Sequence, residues 1–260
     1  YAKTVTLGKT HWPETNRVML RNRRIGCSVS GIAQFLTNKG IGELRAWLET
    51  GYDTIQEWDK QYSDWFAVPK SIKTTSVKPS GTVSLLVGAT PGLHYPESRF
   101  YIRRMRLSNQ SALLEPLQNA GYKIEPAFGS EDSTVVVEVP VDVGEGIRTA
   151  KSLTIWEQFS LAAFLQRHWA DNQVSCTVTF DPEIEGNQLE QALNYYQYQL
   201  KGISCLPRAN GGVYKQMPYE AIDEKTYNKF MKKLKTLSFA KMKGEEGEAE
   251  KFCNNDFCTI

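Results

Sequence analysis

The sequence lacks long apolar runs, has almost no net charge, and is short of cysteine and histidine. No run approaches the ~20 apolar residues that a membrane-spanning helix needs, so no membrane partner is expected. Across 260 residues, 31 Lys and Arg face 29 Asp and Glu, a formal net charge of +2. Bulk electrostatics therefore gives no reason to expect nucleic acid as a partner. Five cysteines, an odd number, do not suit a secreted disulfide scaffold. No signal peptide is visible, and a reducing cytoplasm is the expected setting. The three histidines, His11, His94 and His168, are scattered, which gives weak support to a four-ligand site, and no metal is expected. The chain opens at Tyr1 rather than Met and reads as a piece of something longer.

What is present is an ordinary globular composition, 41% apolar and 23% charged, enough for one large domain or two small ones. Hydrophobic spacing predicts a helix over Gly42 to Phe66, with Leu44, Trp47, Leu48, Ile55, Trp58, Tyr62 and Trp65 recurring at three, four and seven, and with a possible break at Gly51. Lys73 to Val77 is β-prone, and Ser133 to Val141 reads as a buried strand. Leu153 to Trp169 reads as a helix with Ile155, Phe159, Ala162, Leu165 and Trp169 on one face. A strand at Val174 to Phe180, a helix at Asn187 to Leu200 and a strand at Ile203 to Leu206 follow. This alternation predicts an α/β fold with parallel strands. A Lys-rich amphipathic stretch, Glu224 to Leu237, precedes an acidic linker, and a mobile tail is expected from Gly244 on.

Three stretches can carry chemistry. In KPSGTVSLLVGATPGLHYP, Lys78 to Pro96, a strand runs into Pro-Ser-Gly-Thr. Gly81 allows close backbone approach, and Ser80, Thr82 and Ser84 offer hydroxyls beside backbone N–H groups, which suits an anion; an ordinary β-turn with helix-capping hydroxyls fits the same residues. The Gly-Lys-Ser/Thr step of a P-loop is missing. In RNRRIGCSVSGIAQF, Arg21 to Phe35, a basic flank precedes an apolar helix; phosphate contact and a plain strand-to-helix turn are both open, and Cys27 reads as a small core residue. Cys176 and Cys205 fall inside predicted strands and are expected to be buried. His168, at a helix end, reads as a structural histidine or a base, and Tyr195 and Tyr196 as packing residues. In the tail KFCNNDFCTI, Cys253 and Cys258 are four residues apart, too wide for a redox C-x-x-C pair. A reversible exposed disulfide fits them better than half a zinc site, with incidental thiols as the plain alternative.

In order, NRRIGCSVSGIAQF, KPSGTVSLLVGATPGLHYP, QRHWADNQVSCTVTF, LKGISCLP and the Cys-x4-Cys tail resemble the C-terminal part of the adenosylcobalamin-dependent (class II) ribonucleotide reductases, from about Asn16 to Ile260. The match is to the monomeric, thioredoxin-recycled type that reduces ribonucleoside triphosphates. The resemblance implies the C-terminal portion of a ten-stranded α/β barrel and substrate phosphates held by Ser80, Gly81, Thr82, Val83 and Ser84. It implies a redox shuttle in which Cys253 and Cys258 pass electrons from thioredoxin to an active-site disulfide. The family's Asn-x-Cys-x-Glu radical motif is not in this sequence, so the upstream half of the reductase is an implied partner and the chain alone is expected to be inactive. Ile203-Ser-Cys-Leu-Pro lacks the Tyr-Tyr pair that two-subunit aerobic reductases carry after the Lys-x step, which favours a bound cobalamin as radical source. Gly92 to Pro96, with His94, resembles the triphosphate type; diphosphate relatives more often carry Glu in place of His94.

The resulting expectation divides the chain into barrel (1–217), helical extension (218–243) and redox tail (244–260). The rivals are a diphosphate reductase of the same mechanism and a nucleotide-binding module without redox turnover.

Overall fold

A computed structural model describes residues 1–81, 83–208 and 215–239. Thr82, Cys253, Cys258 and the linker Gly244 to Glu250 lie outside the described residues. The helices are α1 (Ala2–Val5), α2 (Pro13–Asn22), α3 (Ile32–Trp65), α4 (Leu114–Asn119), α5 (Ile155–His168), α6 (Leu189–Tyr196) and α7 (Glu224–Met231). The strands are β1 (Cys27–Ser28), β2 (Thr75–Ser76), β3 (Phe100–Ser108), β4 (Lys123–Pro126), β5 (Thr134–Asp142), β6 (Thr177–Phe180), β7 (Ser204–Pro207) and β8 (Tyr219–Ala221). The chain forms two compact units, one from Tyr1–Arg99 with Asp142–Gly211, the other from Phe100–Val141 with Gly212–Ile260.

In the first unit the strands pair in parallel, β1 with β2 and β6 with β7. An isolated parallel bridge, Val77 to Val174, carries the pairing from the end of β2 toward β6. This is the parallel α/β arrangement that the helix–strand alternation predicts. α5 begins with a capping box: the Thr154 hydroxyl accepts from the Glu157 N–H while the Glu157 carboxylate accepts from the Thr154 N–H. Its predicted face is the buried one, with Ile155, Phe159, Ala162 and Leu165 fully inside, and Trp169 buried just beyond the helix end. They pack in one cluster with Leu44, Leu48, Val77, Val174, Val178 and Tyr196.

α3 differs from the sequence expectation in two ways. The break falls at Gly40 (φ 80°, ψ 174°), not at Gly51. Gly51 stays helical and packs beside the Trp169 ring, where a Cβ would lie 3.4 Å from it. The buried side is also not the tryptophan side. Leu44, Leu48, Asp59 and Ser63 are buried, whereas Trp47, Trp58 and Trp65 are exposed. Periodicity alone could not choose between them, because two polar residues on the buried side have partners. Lys3 donates to Asp59 at 3.0 Å, and Asp59 also accepts from the Ser71 N–H and hydroxyl.

The second unit holds a four-stranded sheet in the order β4-β5-β3-β8, with antiparallel β4–β5 and β3–β8 pairs. Val136 and Val137 of β5 and Tyr101 and Ile102 of β3 are buried, and since neighbouring strand residues alternate faces, both faces of the sheet are covered there. Sequence patterning misses β3 because Arg103 and Arg104 interrupt the apolar alternation. Arg104 is accommodated by charge: it pairs with Glu138 of β5 and Glu220 of β8, and Glu138 also pairs with Lys123 at 3.0 Å. No helix among the described residues is long and apolar enough to cross a membrane.

Candidate active site

The Lys78–Pro96 stretch leaves the C-terminal end of β2, the end at which ligands bind in open parallel sheets. Ser80 turns the chain there in a left-handed conformation (φ 47°), and a short 3₁₀ helix follows at Val83–Val87. The Ser84 N–H and hydroxyl both donate to the Ser80 carbonyl, at 3.1 and 2.6 Å, so buried Ser84 closes the turn from within. The loop then returns, and the Gly92 N–H donates to both the Ser80 and Ser30 hydroxyl oxygens, at 3.2 and 3.3 Å. Gly92 has φ 52°, which L side chains rarely adopt.

Ser30 and Ser80 are 2.5 Å apart at their Oγ atoms. One hydroxyl donates to the other, which leaves the second hydroxyl proton without an acceptor among the described residues. The backbone N–H groups of Gly81 and Val83 likewise have no acceptor among the described residues. One hydroxyl and two amide donors thus meet at a turn at the end of a parallel strand. That is the donor set of an anion cradle, and it holds no acidic side chain to compete.

Ser80, Gly81, Val83 and Ser84, to which the sequence pointed, stand in one turn, and the Ser84 hydroxyl is taken up by the Ser80 carbonyl. The sequence did not single out Ser30, Gln34 or Gly92. Ser30 follows β1 in the basic-flanked stretch, and Lys78 N–H to Ser28 Oγ, at 2.9 Å, ties the two stretches together. Gln34 braces the loop with both ends of its amide, donating to the Gly88 carbonyl at 2.9 Å and accepting from the Thr90 N–H at 2.8 Å. Ser30 and Gln34 do fall within the Arg21–Phe35 stretch for which the sequence left phosphate contact open.

His94 sits behind the loop and takes no part in the cradle. Burial pushes its pKa below the usual histidine range, and its Nε2 accepts from the Thr177 N–H at 3.2 Å. The neutral ring thus pins the loop to the start of β6. His168 is structural: its Nδ1 lies 2.9 Å from Glu49 Oε1, and its ring packs on Phe164. Tyr196 is buried and stacks on Phe159, as expected, but Tyr195 is exposed. Cys176 is buried, and burial raises its thiol to about 12. Cys27 and Cys205 are only half-buried rather than core residues, and burial raises both thiols as well.

A cleft of about 610 Å³ lies beside β2, lined by Arg24, Lys73, Lys78 and Lys201 around Asp171. Asp171 is held below the usual carboxylate range: burial would raise it, but the Thr74 N–H and hydroxyl and the Tyr52 hydroxyl outweigh that. No group of three or more metal-ligating side chains occurs among the described residues.

No family model matches the chain. The fold does have a counterpart: a crystal structure of a B12-dependent (class II) ribonucleotide reductase superposes with a TM-score of 0.76 at 34% identity, covering 89% of this chain and 36% of that one. Fold and sequence identity together place the chain among the class II ribonucleotide reductases.

Sequence narrows this further. The chain is 59% identical over 100% of its length to a Dictyostelium discoideum protein named a probable adenosylcobalamin-dependent ribonucleoside-triphosphate reductase. It is 59% identical over 99% of its length to the adenosylcobalamin-dependent ribonucleoside-triphosphate reductase of Euglena gracilis, and 35% identical over 88% to that of Lactobacillus leichmannii. The chain belongs to this family as a part of such a reductase, spanning 35% of the Dictyostelium protein and 36% of the Euglena one.

Proposed function

We propose that this chain is the C-terminal part of an enzyme that reduces ribonucleoside triphosphates to 2′-deoxyribonucleoside triphosphates. Identity of 59% along the whole chain to two proteins carrying that name supports the reading. The turn at Ser80 binds the substrate phosphates through the Gly81 and Val83 N–H groups and the Ser30–Ser80 hydroxyl pair, with Ser84 closing the turn and Thr82 contributing as the resemblance implies. Cys253 and Cys258 pass electrons from thioredoxin to a disulfide in the upstream half, which supplies the radical cysteine.

Adenosylcobalamin supplies the initiating radical when bound. Among the described residues, the cleft around Asp171 does not suit a corrin. The β-strand cleft is lined by charged side chains rather than the broad apolar wall a corrin face needs, and the His94 Nε2 is already engaged by Thr177. No step is therefore assigned to it on this part of the chain.

The test uses the complete reductase with adenosylcobalamin and compares CTP with CDP. Turnover is expected with CTP, and Ser80→Ala should raise KM for CTP about tenfold with little change in kcat, as loss of uniform phosphate binding does. Turnover with CDP alone would establish the diphosphate reading instead. An unchanged KM in Ser80→Ala and Ser30→Ala would remove the turn from substrate binding.

A further inference from the structure

After the Ser80 turn the chain comes back through Gly88-Ala89-Thr90-Pro91-Gly92, a run with little side chain of its own to hold it in place. Gly88 and Gly92 both take left-handed backbone, at φ 66° and 52°. Thr90 is buried, and its hydroxyl has no hydrogen-bond partner among the described residues. The run is gripped instead through its backbone groups, by the start of α3. The Gly31 N–H donates to the Thr90 carbonyl at 2.8 Å, and the Ile32 N–H to the Gly92 carbonyl at 3.4 Å. Gln34 adds both ends of its amide: Oε1 accepts from the Thr90 N–H at 2.8 Å, and Nε2 donates to the Gly88 carbonyl at 2.9 Å, with a longer contact to the Val143 carbonyl at 3.5 Å. Among the described residues it is the one side chain bonded to residues 88–90, and its partners are all backbone groups, with no titratable side chain among them.

These partners dictate the side chain. An N–H on one side and carbonyls on the other need an acceptor and a donor on the same terminal group, which an amide supplies. With both ends engaged, Gln34 is not itself a ligand for the anion. Its effect passes along the run to Gly92, whose N–H donates to both the Ser80 and Ser30 hydroxyl oxygens. That donation leaves the free hydroxyl proton of the pair for an anion. The two bonds are already 3.2 and 3.3 Å long, so a displacement of Gly92 by about half an ångström breaks them.

We propose that Gln34 is a positioning residue for the substrate phosphates: by fixing residues 88–90 it holds the Gly92 N–H on the Ser30–Ser80 hydroxyl pair, and so sets affinity for the triphosphate rather than the rate of the chemical step. The inference rests on the reading of the Ser80 turn as the phosphate site. It also says which half of the amide matters at which pH in a glutamate variant. A carboxylate at position 34 keeps the bond from the Thr90 N–H but faces the Gly88 and Val143 carbonyls with no proton between them, whereas a neutral carboxyl donates as the amide does. The carbonyl oxygens and partial burial raise such a carboxyl above the ordinary glutamate value of ~4.3.

The test measures initial rates against CTP in the complete reductase with adenosylcobalamin, for the parent enzyme, Gln34→Met, Gln34→Glu and Ser80→Ala. Gln34→Met keeps the length and loses both polar ends; KM is expected to rise about tenfold with kcat within about twofold. For Gln34→Glu the KM relative to the parent should be close to one near about pH 5 and climb about tenfold toward about pH 8, as the carboxyl loses its proton. Taking the ratio to the parent at each pH removes the ionisation of CTP itself, and one protein supplies both states, so a folding defect in Gln34→Met does not decide the matter. A raised KM in Ser80→Ala beside an unchanged KM in Gln34→Met would overturn the inference and leave the turn's role standing. A Gln34→Glu ratio that does not vary with pH, or a loss confined to kcat, would overturn it as well. No change of KM in any of the three variants would remove the turn from substrate binding, and this inference with it.

Discussion

A Cβ on Gly92 would sit 2.4 Å from the carbonyl oxygen of Lys78. These two residues lie against each other at the base of the loop that carries Ser80, with no room between them for a side chain. Gly92→Ala is therefore expected to combine a backbone clash with a strained left-handed φ, costing more than ~2 kcal/mol locally. In the complete reductase the thermal midpoint should fall and KM for CTP should rise more than in Ser80→Ala. A Gly92→Ala enzyme with unaltered KM would mean that this close contact does not shape the cradle.

His94 predicts a pH effect on stability. Its folded pKa lies below the ordinary 6.5, because burial disfavours the charged ring. Above pH 6.5 it is neutral in both folded and unfolded chains and contributes nothing to the pH dependence. As pH falls from 6.5 toward the folded value, the unfolded chain gains the proton first and stability is lost. His94→Gln should remove that part of the acid sensitivity, read as melting temperature against pH. A slope between pH 6.5 and 5 identical in the two enzymes would contradict this.

Lys3 and Asp59 form a buried pair whose side chains are each 4% exposed. Breaking such a pair from one side strands a charge, at ~3–5 kcal/mol. Lys3→Met and Asp59→Asn should each release α1, visible as faster amide exchange in residues 1–8 and at Ser71. Burial raises the Asp59 carboxyl, but Ser71 and Lys3 together bring it below its ordinary 3.8. Its contribution is thus complete above about pH 4 and is lost as pH falls through the folded value. Asp59→Asn should show no such step.

The tail cysteines separate two routes of reduction. In the complete reductase, Cys253→Ser or Cys258→Ser should abolish multiple turnover driven by thioredoxin and leave turnover with a small dithiol largely intact, because the small thiol reaches the core disulfide directly. Full thioredoxin-driven turnover in both variants would end the shuttle proposal.

Much of the first unit was legible in sequence because its signals are local. The α5 face obeys a 3.6-residue period, and the strands between helices are short β-prone runs. The failures were non-local. Whether α3 buries its leucines or its tryptophans depends on Lys3 and Ser71, which neutralise Asp59 from far along the chain. β3 was hidden because Arg103 and Arg104 look like surface until Glu138 and Glu220 are placed beside them. The cradle was half legible: Ser80 to Ser84 stand in one run, but Ser30 and Gly92 come from other places in the sequence. No periodicity links the three.

The bridge from Val77 to Val174 joins strands ninety-seven residues apart, across the whole of Phe100–Val141. A ribosome must therefore synthesise beyond Val174 before the strand that continues β2 has its second neighbour, although β1 is already in place on the other side. Pairing at such sequence separation carries the full loop-closure cost before any contact rewards it and is intrinsically slow. The β4–β5 pair, by contrast, is complete as soon as Asp142 emerges, while β3 waits for β8 at Tyr219–Ala221. The interval in which β2 has an unpaired edge is the one in which the nascent chain is most exposed to aggregation.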